Sequence, residues 1–124
     1  MPISKRYQPI GSIISNPVRA LDVIYRNLTG QLLLVIATTT HTVPANGDIA
    51  TVIGQVDTVT PPGVVACSME IAMTVGSLNA TLIATFVVPI GYYYRLVSTT
   101  VGTGAVGLVT WTEVQLISPQ SAGF

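Results

Sequence analysis

A chain of 124 residues fits one domain with a single core and is too short for two. Only 8% of it is Asp, Glu, Lys or Arg, against about a quarter in ordinary globular domains, while 49% is hydrophobic and the mean hydropathy is +0.64. The formal net charge of zero excludes the clustered basic face that neutralises phosphates, so no nucleic-acid partner is expected.

A surface this poor in charge is hard to keep monomeric. The expectation is that its outer faces are covered by copies of the chain or by other subunits of a larger particle. Cys67 is the only cysteine and cannot form an internal disulfide, which points to folding in a cytoplasm. High hydropathy also raises the question of a membrane. The longest apolar runs, residues 32–37 and 82–90, fall far short of the roughly 18 to 20 residues of a spanning helix, and the second contains Thr85 and Pro89. The aromatic residues are too few and too clustered for the two girdles of an outer-membrane barrel, and residues 1–20 lack the pattern of a secretory signal. No membrane partner is expected.

Residues 1–20 hold Pro2, Pro9 and Pro17 and three of the five basic residues, Lys5, Arg6 and Arg19, without helical or strand periodicity. Proline blocks interior helix and sheet hydrogen bonding, so this stretch reads as an extended arm. About 18 extended residues reach on the order of 60 Å, enough to cross onto a neighbouring subunit. A frayed terminus is the alternative; docking is favoured because Ile3, Tyr7, Ile10, Ile13 and Ile14 would otherwise hang in water.

From residue 21 onward the pattern is β. Strands are predicted over 21–28, 31–39, 48–57, 64–75, 81–88, 92–99 and 106–117, with turn signals between them. Asn46-Gly47 suits a turn with positive φ, Pro61-Pro62-Gly63 forces a tight link, and Gly102-Thr103-Gly104 is expected to cap a hairpin. The clearest alternation puts Val65, Cys67, Met69, Ile71, Met73 and Val75 on one face of a strand, which predicts a buried Cys67. Residues 32–36, Leu-Leu-Leu-Val-Ile, are apolar on both faces. That is unusual for an antiparallel sheet with one wet side, so the outer face needs a cover. The expected fold is an all-β antiparallel β-sandwich, jelly-roll-like, with the arm over residues 1–20, the sandwich over 21–117 and a C-terminal tail over 118–124.

No catalytic constellation emerges. There is no glycine-rich phosphate loop, paired-cysteine zinc motif or nucleophile elbow. His41, placed in a turn over residues 38–44, reads as a hydrogen-bonded loop residue rather than a ligand, since a metal site needs three or four donors. The acids Asp48, Asp57, Glu70 and Glu113 lie on separate strands. No enzyme activity, metal or cofactor is therefore expected. The sharper signal is aromatic. Alternation puts Tyr92 and Tyr94 on one face and Tyr93 and Arg95 on the other, while Trp111 shares a face with Glu113. Arg95 is expected to pair with Glu113. Tyr92, Tyr93, Tyr94, Arg95 and Trp111 join the arm residues as candidate interface positions, because tyrosine couples an apolar ring to a hydroxyl and arginine adds a bidentate donor. The same aromatics could instead form a sugar-stacking surface, which keeps a carbohydrate-binding module open as an alternative.

Three segments carry a resemblance: Tyr25-Arg26-Asn27-Leu28-Thr29-Gly30 running into an apolar strand, then Val88-Pro89-Ile90-Gly91-Tyr92-Tyr93-Tyr94, then Trp111-Thr112-Glu113. In this order they resemble small β-sandwich proteins of tailed bacteriophage particles, among them head decoration domains and tail-fibre tips. The resemblance implies a non-enzymatic virion structural protein, assembled in the host cytoplasm as a homo-oligomer, a trimer being favoured. It also implies other virion proteins as partners. The first expectation is a capsid decoration or cement subunit on the major capsid protein; a tail-fibre or tail-tip subunit held by a tail adaptor is the alternative.

Overall fold

The computed structural model describes residues 12–72 and 76–117. Among these there is no helix, and eight strands form two antiparallel sheets of four. The strands are β1 (Ser12–Ser15), β2 (Tyr25–Arg26), β3 (Leu32–Val43), β4 (Ile49–Asp57), β5 (Val65–Ala72), β6 (Leu78–Val88), β7 (Tyr93–Val101) and β8 (Ala105–Leu116). The first sheet has the order β1-β8-β3-β6 and the second β2-β7-β4-β5. In every antiparallel pair β1–β8, β2–β7, β3–β6 and β4–β5 the strand numbers add to nine, as if one long hairpin were rolled up. Pairing of β8 with β3 and of β7 with β4 closes the roll. This is the jelly-roll connectivity of two packed sheets.

Rolling changes what the turns do. Only the β4–β5 link, through Pro61-Pro62-Gly63, joins neighbours of one sheet. The turn at Gly102 and Thr103 joins β7 to β8 in opposite sheets, so it crosses the sandwich rather than capping a hairpin. The Asn46-Gly47 turn crosses likewise, with Gly47 at φ 79°.

Alternation builds the core. Leu33, Val35 and Ala37 of β3, Val52 and Val56 of β4, Ala84, Phe86 and Val88 of β6, Tyr94 and Leu96 of β7, and Trp111 of β8 pack between the sheets. The predicted strand over 31–39 runs on to Val43, because Thr39, His41 and Val43 continue the inward face that Leu33 begins. His41 therefore lies inside a strand and is buried, not in a turn. The expected strand over 21–28 shrinks to two residues, since Asp22 adopts a left-handed φ of 65° and its carboxylate accepts from Ser98 N and Oγ. Residues 12–15, expected to be free of strand structure, form edge strand β1 along β8. Four residues between Gly11 and Asn16-Pro17 are too few to show a period.

Where β4 passes between β5 and β6, only glycine fits. A Cβ on Gly54 would lie 2.7 Å from Cys67 Sγ and 3.0 Å from Phe86 Cδ1. Gly54→Ala is expected to cost about 1–3 kcal/mol by overpacking, measured by urea unfolding. Cys67→Ala in the same chain should recover part of that loss, because it clears the nearer of the two clashes.

Candidate interaction surface

The two outer faces differ in chemistry. On the second sheet, Arg26, Tyr93, Arg95, Gln55, Asp57, Thr51 and Glu70 point outward, and all but Asp57 engage one another in pairs. Arg95 Nε donates to Gln55 Oε1 at 2.8 Å, Thr51 Oγ1 donates to Glu70 Oε2 at 3.3 Å, and the Arg26 guanidinium lies 5.1 Å from the Tyr93 ring centre. The outer face of the first sheet carries no Asp, Glu, Lys or Arg among the described residues.

Strand register arranges that face in rows. Leu116 and Leu32 are neighbours in the first row. Ile14, Val114, Leu34 and Val87 span all four strands in the second. Thr112, Ile36 and Thr85 follow, then Thr110, Thr38 and Ile83. Beyond them come Gly107, Thr40 and Thr81. The face thus grades from apolar at one end to threonine at the other. Ile14 is 66% exposed, Ile83 63% and Val87 45%, so large aliphatic groups stand in water on a face with no ionic rim of its own. β-Branched residues suit the pleat on both sides of a strand, but water on one side normally selects polar side chains there.

The sequence-derived candidates scatter across the molecule. Ile3, Tyr7 and Ile10 lie outside the described residues. Ile14 belongs to the apolar row, and Ile13 is exposed at the β1 edge. Tyr94 and Trp111, 1% and 5% exposed, are core residues and present no ring to a partner or a sugar. Their rings lie 6.5 Å apart with Tyr25 packed against both. Tyr92 packs against the core, and Tyr93 and Arg95 occupy the charged outer face. Leu34 and Ile36 belong to the run 32–36 that the sequence marks as apolar on both faces, whereas Ile83, Val87, Val114 and Leu116 were not singled out from the sequence. Their signal was available in β6 as in β3: residues 82–88 are apolar at outward Ile83 and Val87 as well as at inward Leu82, Ala84, Phe86 and Val88.

The buried polar groups hold the fold. Glu113 does not meet Arg95, which faces out of the opposite sheet; its partner is Arg19, Nε to Oε2 at 3.3 Å. The same Oε2 accepts from Tyr94 Oη at 2.6 Å and Trp111 Nε1 at 3.0 Å. Burial, reinforced by Glu113, holds the Tyr94 hydroxyl above the usual phenol range, so it stays a donor. His41 Nδ1 lies 3.0 Å from Ala50 O, which can only accept, and Nε2 lies 2.8 Å from Thr39 Oγ1. Both ring nitrogens are therefore committed, with the proton on Nδ1 in the neutral ring. Asn27 donates to Gln31 O and Val88 O and accepts from Thr29 N and Oγ1, tying the turn after β2 to the end of β6. Cys67 is half-buried rather than buried, and burial pushes its thiol up, away from nucleophilic character. Among the described residues no three His, Cys, Asp or Glu side chains gather as metal ligands, and no helix is long and apolar enough to cross a membrane.

No family model matches the chain, and no curated protein matches it either.

Removing the acceptor of the Glu113 cluster should be costly. Glu113→Ala leaves the Tyr94 hydroxyl and Trp111 indole without a partner and is expected to lose about 2–4 kcal/mol in chemical unfolding; Glu113→Gln, which retains an acceptor oxygen, should lose less. Asp48 gives a pH signature. Hydrogen bonds from the Thr103 hydroxyl and N–H, and then from Ala45 N–H, hold its carboxyl below the usual carboxylate range. A depressed folded value means that the unfolded chain binds the proton first. This contribution is therefore full above the unfolded value of about 3.9 and disappears as pH falls through the lower folded value. Urea midpoints between pH 6 and pH 2.5 should fall less steeply for Asp48→Asn than for the parent.

Proposed function

We propose that this chain is a non-enzymatic structural subunit of a virion, a capsid decoration or cement protein that joins neighbouring subunits through the outer face of its first sheet. The observation that carries the reading is that, among the described residues, this face has no ionisable side chain yet exposes Ile14, Ile83 and Val87. Covering about 300 Å² of apolar area supplies about 7 kcal/mol of gross drive. That is of the order of the freedom lost on association, so a single contact is modest. Many copies on one particle turn modest contacts into a durable coat, because each later contact forms at high effective concentration.

The jelly-roll connectivity adds support by analogy only: viral capsid domains use it, and so do lectins and cupins. The lectin reading loses two of its rings, since Tyr94 and Trp111 are in the core, and keeps Tyr93 and Arg95. The resemblance of the Tyr25, Val88 and Trp111 segments to phage virion proteins points the same way. These segments also converge in space: Asn27 donates to Val88 O, Arg26 Nε donates to Gly91 O, and Tyr25, Tyr94 and Trp111 share the core.

Density-gradient sedimentation of the lysate that contains this chain, followed by electron microscopy, tests the reading. The chain should travel with particles and lie on their outer surface, and the double substitution Ile83→Lys with Val87→Lys should release it while its circular dichroism stays unchanged. A chain found away from particles, or held on them equally well with both lysines, would overturn the proposal.

A further inference from the structure

We infer that the occupant of the first sheet's outer face is a second copy of this chain, stacked face to face about a two-fold axis that runs along the strands. The inference rests on the reading of that face as a site of assembly and names its partner.

Charge is the first argument. An isologous contact brings each residue near its own counterpart, so any ionised group on the face approaches its like. The outer face of the first sheet has none to repel. The second sheet displays Arg26, Arg95, Asp57 and Glu70 and is the poorer surface for self-stacking. A partner of different chemistry would be recognised by complementary charge, and this face offers no charge to complement.

Area is the second argument. Three strands about 4.8 Å apart, followed over the eleven residues of β3 from Leu32 to Thr42, with the four residues of β1 along one edge, make a face of roughly 560 Å². Two such faces bury about 1,100 Å², above incidental contacts and past the roughly 1,000 Å² that a biological interface should clear.

The gradient along the face then selects the axis. A two-fold axis across the strands would lay the apolar rows on the threonine rows. An axis along the strands keeps each row on its own counterpart and exchanges the two edges. Ile14 then packs over Val87 of the partner subunit, and Val114 over Leu34 of the partner subunit. The threonine rows meet each other at the far end. Sheets so stacked lie about 10 Å apart with strands inclined by about 30°.

Analytical ultracentrifugation of the 13.0 kDa chain over a wide concentration range tests this. A reversible dimer is expected. Val87→Lys or Ile83→Lys should raise its dissociation constant at least a hundredfold, and Val101→Lys, an exposed position on the second sheet, should leave it unchanged. In a dimer mixed from isotope-labelled and unlabelled copies, methyl contacts should connect Ile14 with Val87 of the partner subunit. A chain that stays monomeric up to millimolar concentration overturns the inference, as does a dimer indifferent to Val87→Lys or one whose cross-copy contacts lie on the second sheet. Particle sedimentation separates the two claims. A monomer that still coats particles leaves the structural role standing without self-stacking; a dimer of the expected kind that never meets a particle leaves the stacking standing without the role.

Discussion

One carboxylate oxygen fastens three parts of this molecule. Glu113 Oε2 takes the Tyr94 hydroxyl from the second sheet, the Trp111 indole from its own strand and the Arg19 guanidinium from the segment leading out of β1. A rolled sandwich has no main-chain hydrogen bonds between its layers, so apolar packing alone would let one layer slide on the other. A short directional bond across the core removes that freedom, and in a low-dielectric interior it is stronger than the same bond in water. Arg19 brings the charge that makes the buried acid tolerable, and its guanidinium also lies 4.4 Å from the Tyr25 ring centre. The cation thereby anchors the chain that carries edge strand β1.

The same economy recurs at several of the places where the chain crosses between sheets. Asp48 of the β3–β4 turn accepts from Ala45 and from Thr103 of the β7–β8 turn, and Asn27 joins the β2–β3 turn to the end of β6. A Cβ at Gly102 would collide with Asp48 Oδ1, so glycine is required there by space as well as by its φ of 70°. His41 performs the equivalent task in mid-sandwich, linking β3 to the Ala50 carbonyl of β4. Every buried side-chain nitrogen and oxygen among the described residues has a partner. A chain with few charges has thus placed several of them at joints, where a missing bond would be most expensive.

Period-two alternation made the sandwich legible in the sequence, and it placed the faces of Tyr92, Tyr93, Tyr94 and Arg95 correctly because strand geometry leaves only two directions for a side chain. It could not say which sheet each face belonged to. Arg95 and Glu113 looked like cross-strand partners, yet the roll sets them in different sheets with opposite orientations, and no local pattern encodes a crossover. His41 was obscured for a different reason: a run of threonines ending in histidine and proline has the composition of a turn, although Thr39 and His41 fall on the inward phase that Leu33 sets. Twofold apolarity in residues 32–36 did reveal an apolar outer face. Residues 82–88 carry the same pattern at Ile83 and Val87, but that these join Leu34, Val114 and Leu116 on one continuous face needed the β6 and β8 registers, which only the fold supplies.

On the proposed role, the threonine end of this face explains how such a surface can exist before it is covered. A chain proposed to assemble would spend time in water before doing so, and an entirely aliphatic sheet face would pair indiscriminately during that interval. Threonine keeps the β-branched shape that fits the pleat while its hydroxyl remains satisfied by water. The aliphatic row Ile14, Val114, Leu34 and Val87 is thereby confined to one end, with Leu32 and Leu116 beside it and Ile36 and Ile83 thinning out toward the threonines. Lysine would protect the free subunit more strongly, but its desolvation would then oppose assembly. A hydroxyl-bearing β-former is a compromise between the two states, costing little in either, and it restricts the strongest attraction to the rows where a correctly aligned neighbour can meet it.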